Sequence, residues 1–276
     1  MSIYIIIIHY MNIYIYQHLG LGDLISNNGL IRHLIEVNTR TKNFFIFCKK
    51  MHIKSVKFMY RDLKKIKLIP ITNDPKNEKK EVNNYLNKIK KKYEIIKIGH
   101  EFYHLTGKLN PNFKTNPWHC TVNFYKQFGL PFEYRFKKTF WKRDYQKEKR
   151  LFKKLVGKNK NYVFVHDDKS RNLEINTSKL KKKFHIIRNN EKNFIFDYGL
   201  IIENAKEIHL IESSFRQLCE TLKIKSKKLF LYKDNRDDYS MSLYNDNIRG
   251  FTATFKKWKE IKISKNEKSR SFLKFL

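Results

Sequence analysis

Asn12-Ile-Tyr-Ile-Tyr-Gln-His18 runs straight into Leu19-Gly20-Leu-Gly22-Asp23-Leu-Ile-Ser-Asn-Asn28-Gly29. The first seven residues alternate β-branched and aromatic side chains, the signature of a strand. Glycines then let the backbone turn tightly and approach a ligand without a Cβ clash. An apolar-periodic helix is predicted around Asn27–Glu36, completing a strand, glycine turn and helix. That is the first half of a βαβ unit, and such units build parallel sheets.

The same grammar recurs along the chain. Strands are predicted at Asn43–Cys48, at the end of Val56–Ile69 up to Pro70, and at Tyr93–Ile98, with a polar helix inside 73–92. Residues 115–129 read as a helix closed by Gly129-Leu130-Pro131, the order expected just past a helix end. A charged stretch, 133–160, contains a predicted helix, Asp144–Val156. The pattern restarts with Tyr162–His166, then strands Phe184–Ile187 and Phe194–Phe196, helix Gly199–Asn204, strand Glu207–Ile211, helix Ser214–Leu222 and strand Lys228–Leu231. Phe255–Ile261 can form a last helix. With 276 residues, the chain suits two domains of about 110–150 residues each. We therefore expect two Rossmann-like domains, 11–140 and 158–250, with a C-terminal helix and tail over 251–276. In open α/β sheets ligands sit beyond the carboxyl ends of the strands, so functional residues are expected just after strand ends.

Composition narrows the classes. A content of 41% hydrophobic and 15% aromatic residues can fill real cores, which excludes global disorder. Three scattered cysteines without ligand spacing exclude a disulfide framework and a structural zinc site, as in a reduced, cytoplasmic protein. The apolar run Ile3–Tyr10 is too short to span a bilayer and lacks the leading charges of a signal peptide. It reads either as an extension upstream of Met11 or as an extra strand. The formal charge is +33, from 59 Lys+Arg against 26 Asp+Glu. Such a charge fits a polyanionic partner or an anionic membrane surface at the inner face. Only 12 of the basic residues are arginine, however, and base and phosphate readers lean on Arg forks. Lysine runs such as Lys90–Lys92 and Lys181–Lys183 look dispersed. Nucleic acid is therefore the weaker expectation.

Three constellations carry chemistry. In the first, Gly20, Gly22 and Asn28 form the turn, and Asp23 can take a proton from a substrate hydroxyl; the competing reading makes Asp23 the N-cap of the helix. The turn does not match GxGxxG, so a dinucleotide cofactor is not expected. In the second, His166 and Arg171 flank a loop that can neutralise a diphosphate, or the loop is simply polar. In the third, Ser213 and Ser214 open a helix after strand Glu207–Ile211, giving hydroxyls and free N–H groups for a phosphate; a plain Ser cap is compatible with this. Asp197-Tyr198 and Arg236 are lesser candidates. His100-Glu-Phe-Tyr-His104 fits HExxH formally, but the residues after it would end a helix quickly, so no metal is expected.

The block Gly20-Leu-Gly-Asp23-Leu-Ile and the later Ser213-Ser214-Phe-Arg-Gln-Leu-Cys-Glu-Thr-Leu resemble, in order and spacing, the corresponding turns of heptosyltransferase-like glycosyltransferases of family 9. The resemblance implies a GT-B-like fold, with two Rossmann-like domains facing across a cleft and a C-terminal helix packing back. It also implies sugar transfer from a nucleotide-diphosphate donor to a glycan or lipid-linked hydroxyl, in cell envelope glycan biosynthesis. Asp23 would then be the base, with Ser213 or Ser214 at the donor phosphates. Inversion at the anomeric carbon, with neither metal nor bound cofactor, is expected of this chemistry.

Overall fold

The fold is that of a computed structural model, which describes residues 11–17, 20–99, 120–168, 173–233 and 256–262. The chain divides into two compact units, Met1–Lys142 and Arg143–Leu276.

The first unit is a four-stranded, wholly parallel sheet in the order β3-β2-β1-β4, with β1 at Asn12–Gln17, β2 at Phe44–Lys49, β3 at Ile66–Ile71 and β4 at Tyr93–Ile98. Alternation along the strands sends side chains to both faces. Tyr14, Tyr16, Phe47, Ile69 and Ile71 build one core with Val82 and Leu86 of helix α4, Glu78–Asn87. Tyr14 stacks on Phe45, its neighbour in register, with ring centroids 4.7 Å apart. Strand β3 passes through Pro70 to Ile71 instead of stopping at the proline. It lies at the sheet edge, where one ladder of N–H groups faces no neighbour and the missing proton costs nothing.

The helix predicted around Asn27–Glu36 is present, and the glycine turn before it is helical as well. Leu21–Ser26 forms α1 and Asn28–Val37 forms α2, with a break at Asn27. The described residues of this unit also form α3 (Ile53–Tyr60), α5 (Cys120–Lys126) and α6 (Tyr134–Lys137). Gly29 allows α2 to approach α6 closely, since a Cβ there would lie 2.4 Å from the Tyr134 carbonyl oxygen.

The second unit is also wholly parallel. Its five strands are β5 (Tyr162–His166), β6 (His185–Arg188), β7 (Ile208–Ile211), β8 (Leu229–Lys233) and β9 (Trp258–Lys262), in the order β6-β5-β7-β8-β9. Its helices are α7 (Tyr145–Leu155), α8 (Ser178–Lys181), α9 (Gly199–Asn204) and α10 (Ser214–Thr221). Asp144 caps α7 by accepting from the Lys147 N–H at 3.1 Å. Arg143 forks between a buried carboxylate, Glu148, and a half-buried one, Glu203, with Nε to Glu148 Oε1 at 2.8 Å and Nη1 to Glu203 Oε1 at 2.7 Å. Glu148 also accepts from the Leu200 N–H at 2.9 Å, so this cluster pins α9 to α7.

Two expectations fail here. Phe194–Phe196 is not a strand; Ile195–Tyr198 is a single 3-10 turn leading into α9. Short aromatic runs carry no period long enough to separate the two states. The turn is held by the Tyr198 hydroxyl, which accepts from the Asn190 N–H at 2.8 Å. The Phe255–Ile261 segment is not a helix packing back, because residues 258–262 are strand β9, paired in register with β8. Trp258 and Ile261 fit helical spacing, but the open edge of β8 offers a row of unpaired backbone groups. Trp258 Nε1 donates to Glu220 Oε1 at 2.7 Å and fixes the strand against α10. Among the described residues no helix is long and apolar enough to cross a membrane.

Candidate functional site

Strand order locates the sites. In a parallel sheet the crevice lies where successive crossovers leave in opposite directions. In the first sheet that point is between β1 and β4, and in the second between β5 and β7. The sequence constellations lie at the carboxyl ends of these strands.

At the end of β1, Gly20 is the N-cap of α1, with extended backbone and no side-chain cap. Asp23 sits inside the first turn and is not the cap, so the competing reading of Asp23 is overturned. Its carboxylate bends back toward the turn, because a Cβ on Gly20 would lie 3.1 Å from Asp23 Oδ2. Gly22 lies within α1, and its carbonyl accepts from Ser26 Oγ at 3.0 Å.

Behind α1 is a layer of fully buried amides, Gln17, Asn27 and Asn28. Asn27 Nδ2 donates to Gln17 Oε1 at 3.1 Å. Asn28 is no loop residue, contrary to expectation. It opens α2, and its Oδ1 accepts from the Phe140 N–H at 2.9 Å and from Arg32 Nε at 3.3 Å. A buried amide is expected to find partners within the protein; the Asn28 oxygen does, whereas Asn28 Nδ2, Gln17 Nε2 and Asn27 Oδ1 have no hydrogen-bond partner among the described residues. Tyr125 bridges the break between the helices, donating to the Ser26 carbonyl at 2.8 Å and accepting from the Leu30 N–H at 3.1 Å.

At the second switch point His166 ends β5 and Ser213 follows β7. Ser213 is the N-cap of α10, its Oγ accepting from the Phe215 N–H at 3.2 Å. Ser214 is the first helical residue. Phe215 holds the two strand ends together. Its ring lies 4.5 Å from His166, 5.5 Å from Phe164 and 5.4 Å from Tyr198. His166 Nδ1 is 2.7 Å from Asn189 Oδ1, which fixes the imidazole at the end of β6. His166, Ser213 and Ser214 are therefore brought together on one sheet edge.

Arg188 and Asn189 escaped the sequence reading. Arg188 pairs with Asp167 and donates to the Ile175 carbonyl and Thr177 Oγ1, both at 3.2 Å. A polar run at the exit of β6, Arg188-Asn189-Asn190, was the available signal. Of the pair Asp197-Tyr198, Tyr198 is wholly buried and holds the turn through Asn190, while Asp197 is half-buried. Among the described residues no group of three His, Cys, Asp or Glu could hold a metal ion. Burial pushes the Cys48 thiol up to about 11 and raises Cys219 as well, so neither is a thiolate at neutral pH. Arg171, Arg236, His100 and His104 lie outside the described residues.

No protein-family model and no curated protein matches the chain in sequence. Solved structures do match its fold. The glycosyl transferase family 9 protein of Veillonella parvula DSM 2008 aligns with a TM-score of 0.54 at 9% identity, over 97% of this chain and 90% of that one. The E. coli ADP-heptose LPS heptosyltransferase II aligns at 0.44 and 8% identity, over 93% of this chain and 92% of that one. The chain thus has the α/β fold of the Veillonella protein, built from two Rossmann-like domains.

Proposed function

We propose that the chain is a glycosyltransferase that moves a sugar from a nucleotide-diphosphate donor to a hydroxyl on a glycan or lipid-linked acceptor. One observation carries this: Phe215 gathers His166 and the Ser213-capped start of α10 at the switch point of the second sheet. Free N–H groups and the positive dipole end of a helix suit a diphosphate, and the Ser213 and Ser214 hydroxyls add donors. The fold shared with a glycosyl transferase family 9 protein supports the reaction class.

In the proposed reaction the acceptor hydroxyl gives its proton to the Asp23 carboxylate. Its oxygen forms a bond to the anomeric carbon from the face opposite the diphosphate. The bond from that carbon to the diphosphate oxygen breaks, and its electron pair leaves with the nucleoside diphosphate, inverting the centre. Stabilising this departing charge is the larger electrostatic task. It falls to α10, Ser213, Ser214 and His166, with Arg171 assigned to the same anion, and needs no metal in this scheme.

The test separates the two ends. Nucleoside diphosphates and their sugars, with uridine, guanosine or adenosine, are screened for a rise in the unfolding midpoint of the full chain, since a ligand of the folded state stabilises it. Ser213→Ala is expected to weaken binding of the selected nucleotide. Asp23→Asn is expected to leave that binding intact and to cut turnover by about 10²–10⁴-fold, the usual contribution of a general base. Turnover at the wild-type rate in Asp23→Asn removes the base, and a chain that no nucleotide stabilises removes the donor.

A further inference from the structure

The second sheet has a second functional edge. All five of its strands are parallel, so all five enter from one side. Each is entered through a lysine: Lys160 before β5, Lys183 before β6, Lys206 before β7, Lys228 before β8 and Lys257 before β9. Lysines that look dispersed along the chain are thus collected on one rim, opposite the edge that carries His166 and Ser213.

A pocket of about 520 Å³ opens at this rim. Lys149, Lys160, Lys206 and Lys225 line it, together with Phe152, Tyr162, Leu200 and Asn204. No carboxylate is among the lining residues, and among the described residues none of the four ammonium groups has an acidic partner. The acids nearest in sequence are engaged elsewhere. Glu203 holds Arg143 at 2.7 Å, and Glu207 takes Lys228 at 2.9 Å. Asn204 Oδ1 accepts from Lys225 Nζ at 2.7 Å, and its Nδ2 donates to the Leu200 carbonyl at 2.8 Å, so this amide aims a cation instead of neutralising it. The Lys206 N–H is bound to the Tyr162 carbonyl at 2.9 Å, which fixes the backbone that carries a second one. All four lysines are exposed, and like charges around one concavity repel each other, more weakly as salt rises. A small, multiply charged anion relieves this repulsion, and the volume falls within the ordinary range of small-molecule sites.

We propose that this pocket binds a small molecule bearing a di- or triphosphate group, whose charge meets the four ammonium groups while Phe152 and Leu200 supply an apolar wall. The site is distinct from the donor edge, since Tyr162 opens β5 and His166 closes it, roughly 13 Å apart along the strand. It does not depend on the glycosyltransferase assignment. A concave pocket without an Arg fork favours a compact phosphate ligand over a nucleic-acid duplex.

Inorganic tripolyphosphate is the probe, titrated calorimetrically into the full chain against chloride of equal ionic strength. Saturable binding is expected, and Lys160→Gln with Lys206→Gln is expected to weaken it about tenfold or more. A control pair on the first sheet, Lys67→Gln with Lys97→Gln, is expected to leave it unchanged. Tripolyphosphate binding that is lost in the Lys160/Lys206 pair but persists in Ser213→Ala keeps this result separate from the donor experiment. Equal affinity in the Lys160/Lys206 pair, or loss in Ser213→Ala alone, places the anion elsewhere and overturns the proposal. So does stabilisation that merely follows ionic strength. Capture of the chain by a DNA duplex or a phosphatidylglycerol vesicle through these lysines, without tripolyphosphate binding, likewise overturns it.

Discussion

The two sheets close their central crevices with opposite materials. At the mouth of the first, the glycine and asparagine residues serve the fold. Asn27 and Asn28 are buried, Gly29 permits contact with α6, and Gly20 caps α1. Asp23 lies beside them in the first turn of α1. At the mouth of the second, an aromatic hub, Phe215, supports a histidine and a serine-capped helix. The first unit relies on backbones that come close together, and the second on side chains that hold each other in place. That contrast predicts different failures when each is disturbed.

The largest loss is expected in the second unit. Arg143→Ala leaves Glu148, whose side chain is 1% exposed, and Glu203 without their cation. Removing one partner of a buried ion cluster costs about 3–5 kcal/mol. Urea unfolding followed by circular dichroism should show the second unit melting first, with hydrogen exchange locating the loss at α7 and α9. Unfolding at wild-type urea concentrations would mean that the fork contributes nothing. In the first unit the matching lesion is steric. Gly29→Ala puts a methyl 2.4 Å from the Tyr134 carbonyl oxygen, and α2 and α6 must part. Overpacking of this kind costs about 1–3 kcal/mol. Exchange protection should fall around Tyr125 and α6 and remain unchanged in the second unit. If both units lose protection equally, the division of labour drawn between them is wrong.

Much of this layout was legible in the sequence because parallel strands buried on both faces read as apolar runs, and their crossovers read as helices. Strand Tyr162–His166 and helix Gly199–Asn204 lie where the pattern puts them. The misreadings have local causes. Leu21–Ser26 is capped by one glycine, Gly20, and contains another, Gly22, a poor helix former, so it reads as a turn until its connection to α2 is seen. Phe194–Phe196 and Phe255–Ile261 were too short for their period to decide. The lysine rim was illegible for another reason. It exists only once strand direction is known, since parallel order alone brings residues 160, 206 and 225 to one edge. The Arg143 fork is hidden likewise, because its two acids lie 5 and 60 residues away.

The smallest expected effect is a slope with pH. His209 lies on β7, stacked on Phe230 at 4.6 Å, with Nδ1 3.0 Å from the Tyr232 hydroxyl and Nε2 3.3 Å from Glu207 Oε2. Burial lowers its pKa below the ordinary 6.5, outweighing the pull of Glu207 in the other direction. The folded chain therefore resists a proton that the unfolded chain accepts. Stability rises with pH wherever the unfolded state binds more protons. It is accordingly lost as pH falls below 6.5 and continues to fall until His209 is protonated in the folded state as well. His33 and His52 in the first unit are lowered for the same first cause, so each unit carries its own acid-side slope. His209→Gln removes the titration while keeping a polar group beside Tyr232. Urea midpoints of this variant between about pH 5 and 6.5 should depend less on pH than those of the wild type, and only for the second unit. Equal slopes would show that Glu207 compensates for burial, and that the second sheet tolerates a charged His209 in its interior.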